Sequence, residues 1–349
     1  PMTWAHVRRV LDVARRFPDG SLRAVVSRFV EGEPLGPWSY VGVRADDPND
    51  VVPHEHRREL RGMFVLNAWV GHWDARDSNT LSSWIEVGGG GYVRHYLIDF
   101  GECLGLIEGS RRRALRFGHS QWLDAQHVVE DALTLGLVPR PWHRADLGAS
   151  SEVLGYFDVE RFDPDQWRPD YWNGAFDRRT EGDAAWMARI VARFSRAHIE
   201  AVVRLGRYTD RVTERELVRV LAGRRRAILE RYLTRLSPLA DPVVRGEEVC
   251  LTDLAVTSRL RWAQDRRYEA RAYAGDPFTA VGAPGVRVAD GGARVCVTVP
   301  PAGEYVVLDV VASTAGAERT APARLHFAML PAGPVLVGLE RPAGDAPPR

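Results

Sequence analysis

The sequence predicts an α+β chain, with a helical region followed by a carboxy-terminal all-β one. Apolar residues recur at helical spacing in several segments up to about residue 236. Composition then changes at Ser237-Pro238. Beyond it, short β-like runs at 294–299, 305–311, 323–329 and 334–339 are separated by Gly and Pro, as in a small sandwich-like domain. A chain of 349 residues has room for two or three domains.

The elements follow in order. Residues 3–16 read as a helix capped by Thr3, with Val7, Val10, Leu11 and Ala14 at helical spacing and Pro18-Asp19-Gly20 as its stop. Residues 23–30 are β-like, and a turn-rich connector, Glu31-Gly32-Glu33-Pro34-Leu35-Gly36-Pro37, comes next. A helix is expected over 54–70, with Leu60, Met63, Phe64 and Asn67 on one face and Gly71 as its stop. Residues 84–87 and 92–98 read as two strands around a turn at 88–91, which predicts a hairpin. Further helices are expected near 122–135, 183–205 and 214–236.

Composition narrows the function classes. Net charge is +1, with 47 basic and 46 acidic residues, so no global field points to nucleic acid or to an anionic membrane. No run of apolar residues is long enough to span a bilayer. Every basic residue is arginine, since the chain contains no lysine, and mechanisms that need a lysine amine are closed to these residues. Cys103, Cys250 and Cys296 lie far apart, which argues against a zinc ribbon, a redox pair or a disulfide framework.

The stretch that carries chemistry is Gly71-His72-Trp73-Asp74-Ala75-Arg76-Asp77-Ser78-Asn79, followed after the hairpin by Ile98-Asp99-Phe100-Gly101. The first has the form His-x-Asp-x-x-x-x-Asn. The second is an Asp-Phe-Gly at a strand end. In this order, around a hairpin, they resemble the catalytic and metal-binding loops of the protein kinase-like superfamily. Phosphoryl transfer depends on positioning and on charge neutralisation, and oxygen donors suit Mg²⁺. The resemblance implies an ATP- and Mg²⁺-dependent phosphotransferase acting on an unidentified hydroxyl acceptor. Asp74 would orient or deprotonate that hydroxyl, Arg76 would contact the transferring phosphate, and Asn79 and Asp99 would hold the metal. Residues 29–36 resemble the hinge of small-molecule kinases such as aminoglycoside phosphotransferases, which gives Glu31 and Gly32 an adenine-binding role.

The resemblance also divides the chain. Residues 1–50 would be a partial small lobe with the hinge, 51–240 the helical large lobe, 241–342 the all-β appendage and 343–349 a disordered tail. The Gly-rich loop, the strand lysine and its glutamate partner have no counterpart in this sequence. The expectation is therefore a chain that lacks the front of the small lobe and is inactive alone. Two other readings stand beside it. One is a pseudokinase or interaction scaffold with a β binding domain. The other is a metal-dependent hydrolase built on His72, Asp74 and Asp99. The sequence assigns no compartment.

Other features have plainer readings. His72 and Trp73 are expected to hold the loop and to pack. His54 and His56, two apart, do not share a helix face and read as a solvated helix end. The run at 224–226 reads as a solvated face, while that at 111–113, close behind Asp-Phe-Gly, could meet an anionic substrate. Trp122, Trp142, Trp167, Trp172 and Trp186 read as packing rather than a ligand cage.

Overall fold

The computed structural model describes residues 3–14, 16–22, 28–105, 116, 118–144, 154, 156–316, 319–344 and 346–348. Most of the β-like run at 23–30 and all of the arginine run at 111–113 lie outside them. The described residues form a mixed α+β structure with three antiparallel sheets. The chain divides into two compact units, residues 1–36 with 81–96, and residues 37–80 with 97–349.

The smaller unit contains α1 (Trp4–Val13) and a sheet of order β1-β2-β3, where β1 is Glu33–Gly36, β2 Thr80–Val87 and β3 Gly90–Leu97. Thr3 caps α1 in a box with His6, as its hydroxyl accepts from the His6 amide. Strand β1 pairs with β2 so that Glu33 faces Trp84. Gly32 has φ 88°, and a Cβ there would lie 2.2 Å from the Trp84 carbonyl oxygen. Only glycine fits that position.

In the larger unit, α2 (Arg58–Val70) follows a 3-10 turn at His54–His56 instead of running from residue 54. Arg57 is extended and separates the two. Met63, Phe64 and Asn67 are buried as expected, along with Val65 and Ala68. Each large apolar side chain buried in this way contributes on the order of 2 kcal/mol. Trp69 Nε1 donates to the Leu221 carbonyl at 2.8 Å, which ties α2 to the long helix of the unit.

Helix α3 spans Ala125–Thr134, and α4 (Gly174–Asp177) is a single turn capped by Asn173. The helix expected over 183–205 is two helices, α5 (Glu181–Ala192) and α6 (Arg196–Leu205). Ser195 divides them because its side chain caps the second, accepting from the His198 amide. Helix α7 runs from Arg211 to Leu233. Thr180 and Asp183 form a capping box at the start of α5, and Asp183 also receives Arg61 Nε at 2.7 Å and Nη2 at 3.0 Å, which locks α5 to α2. The expected solvated histidine pair is half wrong. His56 is exposed, but His54 is buried, with Nε2 2.7 Å from Asp50 Oδ2 and Nδ1 2.5 Å from the Ser39 carbonyl.

Nine strands follow: β4 (Leu239–Arg245), β5 (Glu248–Asp253), β6 (Arg266–Ala274), β7 (Thr279–Gly282), β8 (Val286–Ala289), β9 (Arg294–Thr298), β10 (Tyr305–Thr314), β11 (Ala323–Leu330) and β12 (Gly333–Glu340). They make two sheets, of order β4-β5-β9-β8 and β12-β11-β10-β6-β7. Inward residues of both sheets, among them Val249, Leu251, Val295, Val297, Leu308, Leu325 and Phe327, share one apolar cluster. A one-turn helix, α8 (Leu254–Thr257), interrupts the strand succession. After β12, the Ala346 carbonyl accepts a bond from Arg324.

The sparse cysteine count argues against a disulfide framework, yet one disulfide is present. Cys250 and Cys296 are directly opposite in the β5–β9 register and form a disulfide across 46 residues of sequence. Strand register brought them together, and sequence spacing carries no trace of that. Cys103 is free.

Candidate active site

The loop after α2 is built by its backbone. Gly71 ends the helix with φ 66°, and the His72 amide still reaches back to the Asn67 carbonyl at 2.9 Å. A Cβ at Gly71 would stand 3.0 Å from the Phe157 ring. The next carbonyls are each taken. That of Trp73 accepts from the Asp170 amide at 3.0 Å, that of Asp74 from Asn79 Nδ2 at 3.0 Å, and that of Ala75 from Asn173 Nδ2 at 3.1 Å. A loop held at three successive residues is pre-organised.

Asp74 is buried, and its Oδ2 accepts from Asn79 Nδ2 at 2.8 Å. Both bonds from Asn79 leave through its amide nitrogen, and its Oδ1 accepts none among the described residues. Arg76 donates through Nε to Asp74 Oδ1, lies 3.9 Å through Nη2 from Asp170 Oδ2, and places its guanidinium 4.9 Å from the centre of the Tyr171 ring. The Ile98 amide donates to the Asn79 carbonyl at 3.0 Å, which ties the residue before Asp99 to the loop. Asp99 follows at once, exposed, with φ 56° and Oδ1 accepting from the Gly101 amide at 3.2 Å. The Leu104 amide then returns to the Val70 carbonyl at 2.9 Å.

The structure therefore ties Asp74, Arg76 and Asn79 into one hydrogen-bonded group and joins Asp99 to it through Ile98. Glu31 and Gly32 belong to the smaller unit. There the Glu31 carboxylate accepts from Arg94 at 3.0 Å, and Gly32 is explained by its approach to β2.

Electrostatics mark the group as a concentration of negative charge. Burial pushes the Cys103 thiol up to about 12, helped by Asp99 and then Asp74. Burial lowers the His72 imidazole, against the pull of the same two carboxylates. His72 and Trp73 are both buried, and the Phe100 ring stands 5.1 Å from the His72 ring. The hydrogen bond to Asp74 raises Arg76.

Asp170 is the residue the sequence did not signal. It is 3% exposed, and its Oδ1 finds no hydrogen-bond partner among the described residues. Burial, and then the charge of Asp74, push it up to about 7 against the opposing pull of Arg76. The pattern Arg168-Pro169-Asp170-Tyr171-Trp172 reads as a turn, and only tertiary structure sets it against Trp73. Beside Arg76 a cavity of about 440 Å³ opens, with Tyr40, Asp77, Tyr171 and Trp172 in its walls. Of the five tryptophans expected to pack, Trp167 is buried, while Trp122 and Trp172 are largely exposed.

Hard oxygen donors are what Mg²⁺ takes, and the Asn79 Oδ1 and the exposed Asp99 carboxylate are donors of that kind. Elsewhere among the described residues, Glu248, Cys250 and Cys296 bring three ligand-type atoms within 4.8 Å of one another. Both sulfurs are committed to the disulfide, which leaves no thiolate for a metal. No helix among the described residues is long and apolar enough to cross a membrane. Comparisons with protein-family models, with curated proteins and with solved structures give no match.

Proposed function

We propose that the chain carries the catalytic loop of a kinase-like phosphotransferase, which moves the γ-phosphate of ATP to a hydroxyl acceptor with Mg²⁺. The observation that carries this reading is the bond from Asn79 to Asp74 within a loop that also holds Ile98, the residue before Asp99. Asp74 would accept or orient the acceptor hydroxyl. Its orientation is fixed by Asn79 on one oxygen and Arg76 on the other. Arg76, released from Asp74 or shared with it, would face the transferring phosphate with a fixed positive charge. Asn79 and Asp99 would hold Mg²⁺, which when bound neutralises phosphate charge. Glu31 and Gly32 keep the adenine-side role that the resemblance gives them. On this reading, residues 51–240 are the large lobe and residues 241–342 an appended domain.

The test uses the complete gene product. Asp99→Ala and Asp74→Asn should each abolish Mg²⁺-dependent ATP turnover, by at least about 100-fold if positioning and charge carry catalysis. Unchanged turnover in Asp99→Ala removes the assignment. A scaffold reading is favoured by one fact, the absence of any lysine to meet the phosphates. It predicts nucleotide binding without transfer, or no nucleotide binding.

A further inference from the structure

Behind the Asp74 loop lies a second, more enclosed cavity of about 200 Å³. Gly71 and Trp73 form part of its wall. Its notable member is Arg224, from the middle of α7. This side chain was expected on a solvated face, but it is 7% exposed. Its neighbours divide the work that the expectation gave to all three. Arg225 donates to the Ala192 carbonyl at 2.8 Å at the end of α5, and Arg226 pairs at 2.7 Å with Glu230 on the surface.

Arg224 has no such partner. Its guanidinium lies 4.3 Å from the centre of the Phe157 ring and 4.1 Å from that of Phe162. Its Nε is closed to solvent and makes no hydrogen bond, and the group forms no ion pair among the described residues. Arginine stays charged inside proteins, and burying that charge with a donor left unsatisfied is strongly unfavourable. Two aromatic faces offset only part of that cost. Burial pulls the Arg224 guanidinium down to about 9, even against the attraction of Asp158 and Tyr156. Asp158 itself is engaged by the Tyr156 hydroxyl at 3.1 Å.

The cavity walls hold a specific set of charges. Arg224, Arg161 and His119 supply nitrogen donors, and Asp158 and Asp163 supply carboxylates. His119 is lowered by burial, is pulled the other way by Asp158, and is lowered further by Arg224 and Arg161, so it responds to the charges around this space. The volume is several times the roughly 30 Å³ share of one water molecule in the liquid.

We propose that this cavity binds a small oxyanion that keeps a proton at neutral pH, of the size and chemistry of inorganic phosphate, with Arg224 as its principal anchor. A guanidinium fork suits two oxygens of one oxyanion. The carboxylates explain the need for a retained proton. A P–OH group donates to Asp158 or Asp163, whereas a fully ionised anion such as sulfate meets only repulsion there. Apart from Gly71 and Trp73 in its wall, the cavity shares no residue with the proposed phosphoryl-transfer site, and this inference stands without that site.

The test is a thermal-melt and calorimetric series on the protein in phosphate-free buffer, with inorganic phosphate, sulfate and chloride at matched ionic strength. Phosphate should raise the melting midpoint by several degrees, and sulfate and chloride should not. Arg224→Met, which keeps length and removes charge, should weaken phosphate binding by at least about tenfold while leaving the unliganded midpoint equal or higher. A phosphate response no larger than that of sulfate or chloride overturns the proposal, as does a variant that binds phosphate like the parent. Should the variant fail to fold, the His119 ring signals of the parent protein decide. Tens of millimolar phosphate should raise the pH at which His119 titrates, and an unmoved titration overturns the proposal.

Discussion

Buried charge is treated in two different ways within the larger unit. In the β region, Asp253 is fully buried and accepts from Arg266 Nε at 2.9 Å, Arg266 Nη2 at 2.8 Å, the Tyr268 hydroxyl at 2.9 Å and the Ala255 amide at 2.8 Å. Asp309 is gripped by Arg324 through two bonds of 2.8 Å each. In the helical region, Asp170 and Arg224 are just as buried, yet each keeps a polar atom with no partner among the described residues. A fully satisfied network fixes a fold, whereas a partly satisfied one stores unfavourable energy that a ligand or a proton can relieve. The difference separates pairs that hold shape from groups left open beside the Asp74 loop and its neighbouring cavity; in the β region His326 Nε2 and Arg341 Nε are likewise without a hydrogen-bond partner among the described residues.

The comparison can be broken or sharpened by substitution. The largest effect is expected from Asp253→Ala, which strands Arg266 in the interior. Chemical denaturation should show a loss of about 3–5 kcal/mol. A loss below about 1 kcal/mol would mean that the β-region pair is ornamental and that the contrast fails. Next comes the disulfide. Replacing Cys250 and Cys296 by Ser frees a loop of 46 residues and should cost about 3–4 kcal/mol by chain entropy. Cys103→Ser, beside the Asp74 loop, should change stability by less than about 1 kcal/mol.

Asp170 should respond in the opposite direction. Its folded value of about 7 lies above the ordinary carboxylate range, so the folded protein retains a proton that the unfolded chain has already released. Stability from this group is complete at low pH and drains away as pH rises towards 7. Asp170→Asn imitates the protonated form. It should be more stable than the parent by about 2–4 kcal/mol at pH 8, with the gap shrinking as pH falls towards 5. Parallel denaturation curves at the two pH values check it, and a constant gap would show that the carboxyl titrates normally. The smallest effect is expected on the surface, where Arg196 meets Glu200 at 2.9 Å on α6. Arg196→Gln should shift stability by less than about 0.5 kcal/mol, and added salt should erase even that.

What the sequence made legible was short-range. The spacing from Asp74 to Asn79 could be read because one loop carries both, and the two are hydrogen-bonded. Asp99 could be read because a hairpin returns it to the same loop. The helix at 3–16 and the stop at Gly71 rest on local caps, and α1 and α2 have them. Ser195 was also legible, since a serine three residues before His198 is a capping signal that a continuous 183–205 helix overlooks. The rest depends on tertiary placement. Asp170 meets the loop through a backbone bond to Trp73, Arg224 is buried because α7 turns that position towards Phe157 and Phe162, and the cysteines meet through β register. His54 is hidden by Ser39 and Asp50, which no helix periodicity reveals.

The two β layers share more than a core. Strands β4 and β5 belong to one layer, β6 and β7 to the other, β8 and β9 return to the first, and β10 to β12 close the second. The pairing of β6 with β10, from Ala274 opposite Val306 to Arg266 opposite Thr314, joins strands that β7, β8 and β9 separate in sequence. The chain is thus laced between the layers, and any cut between residues 274 and 294 divides both of them. Such lacing makes assembly slow relative to the local helices that precede it, and makes the region come apart as one piece when it does.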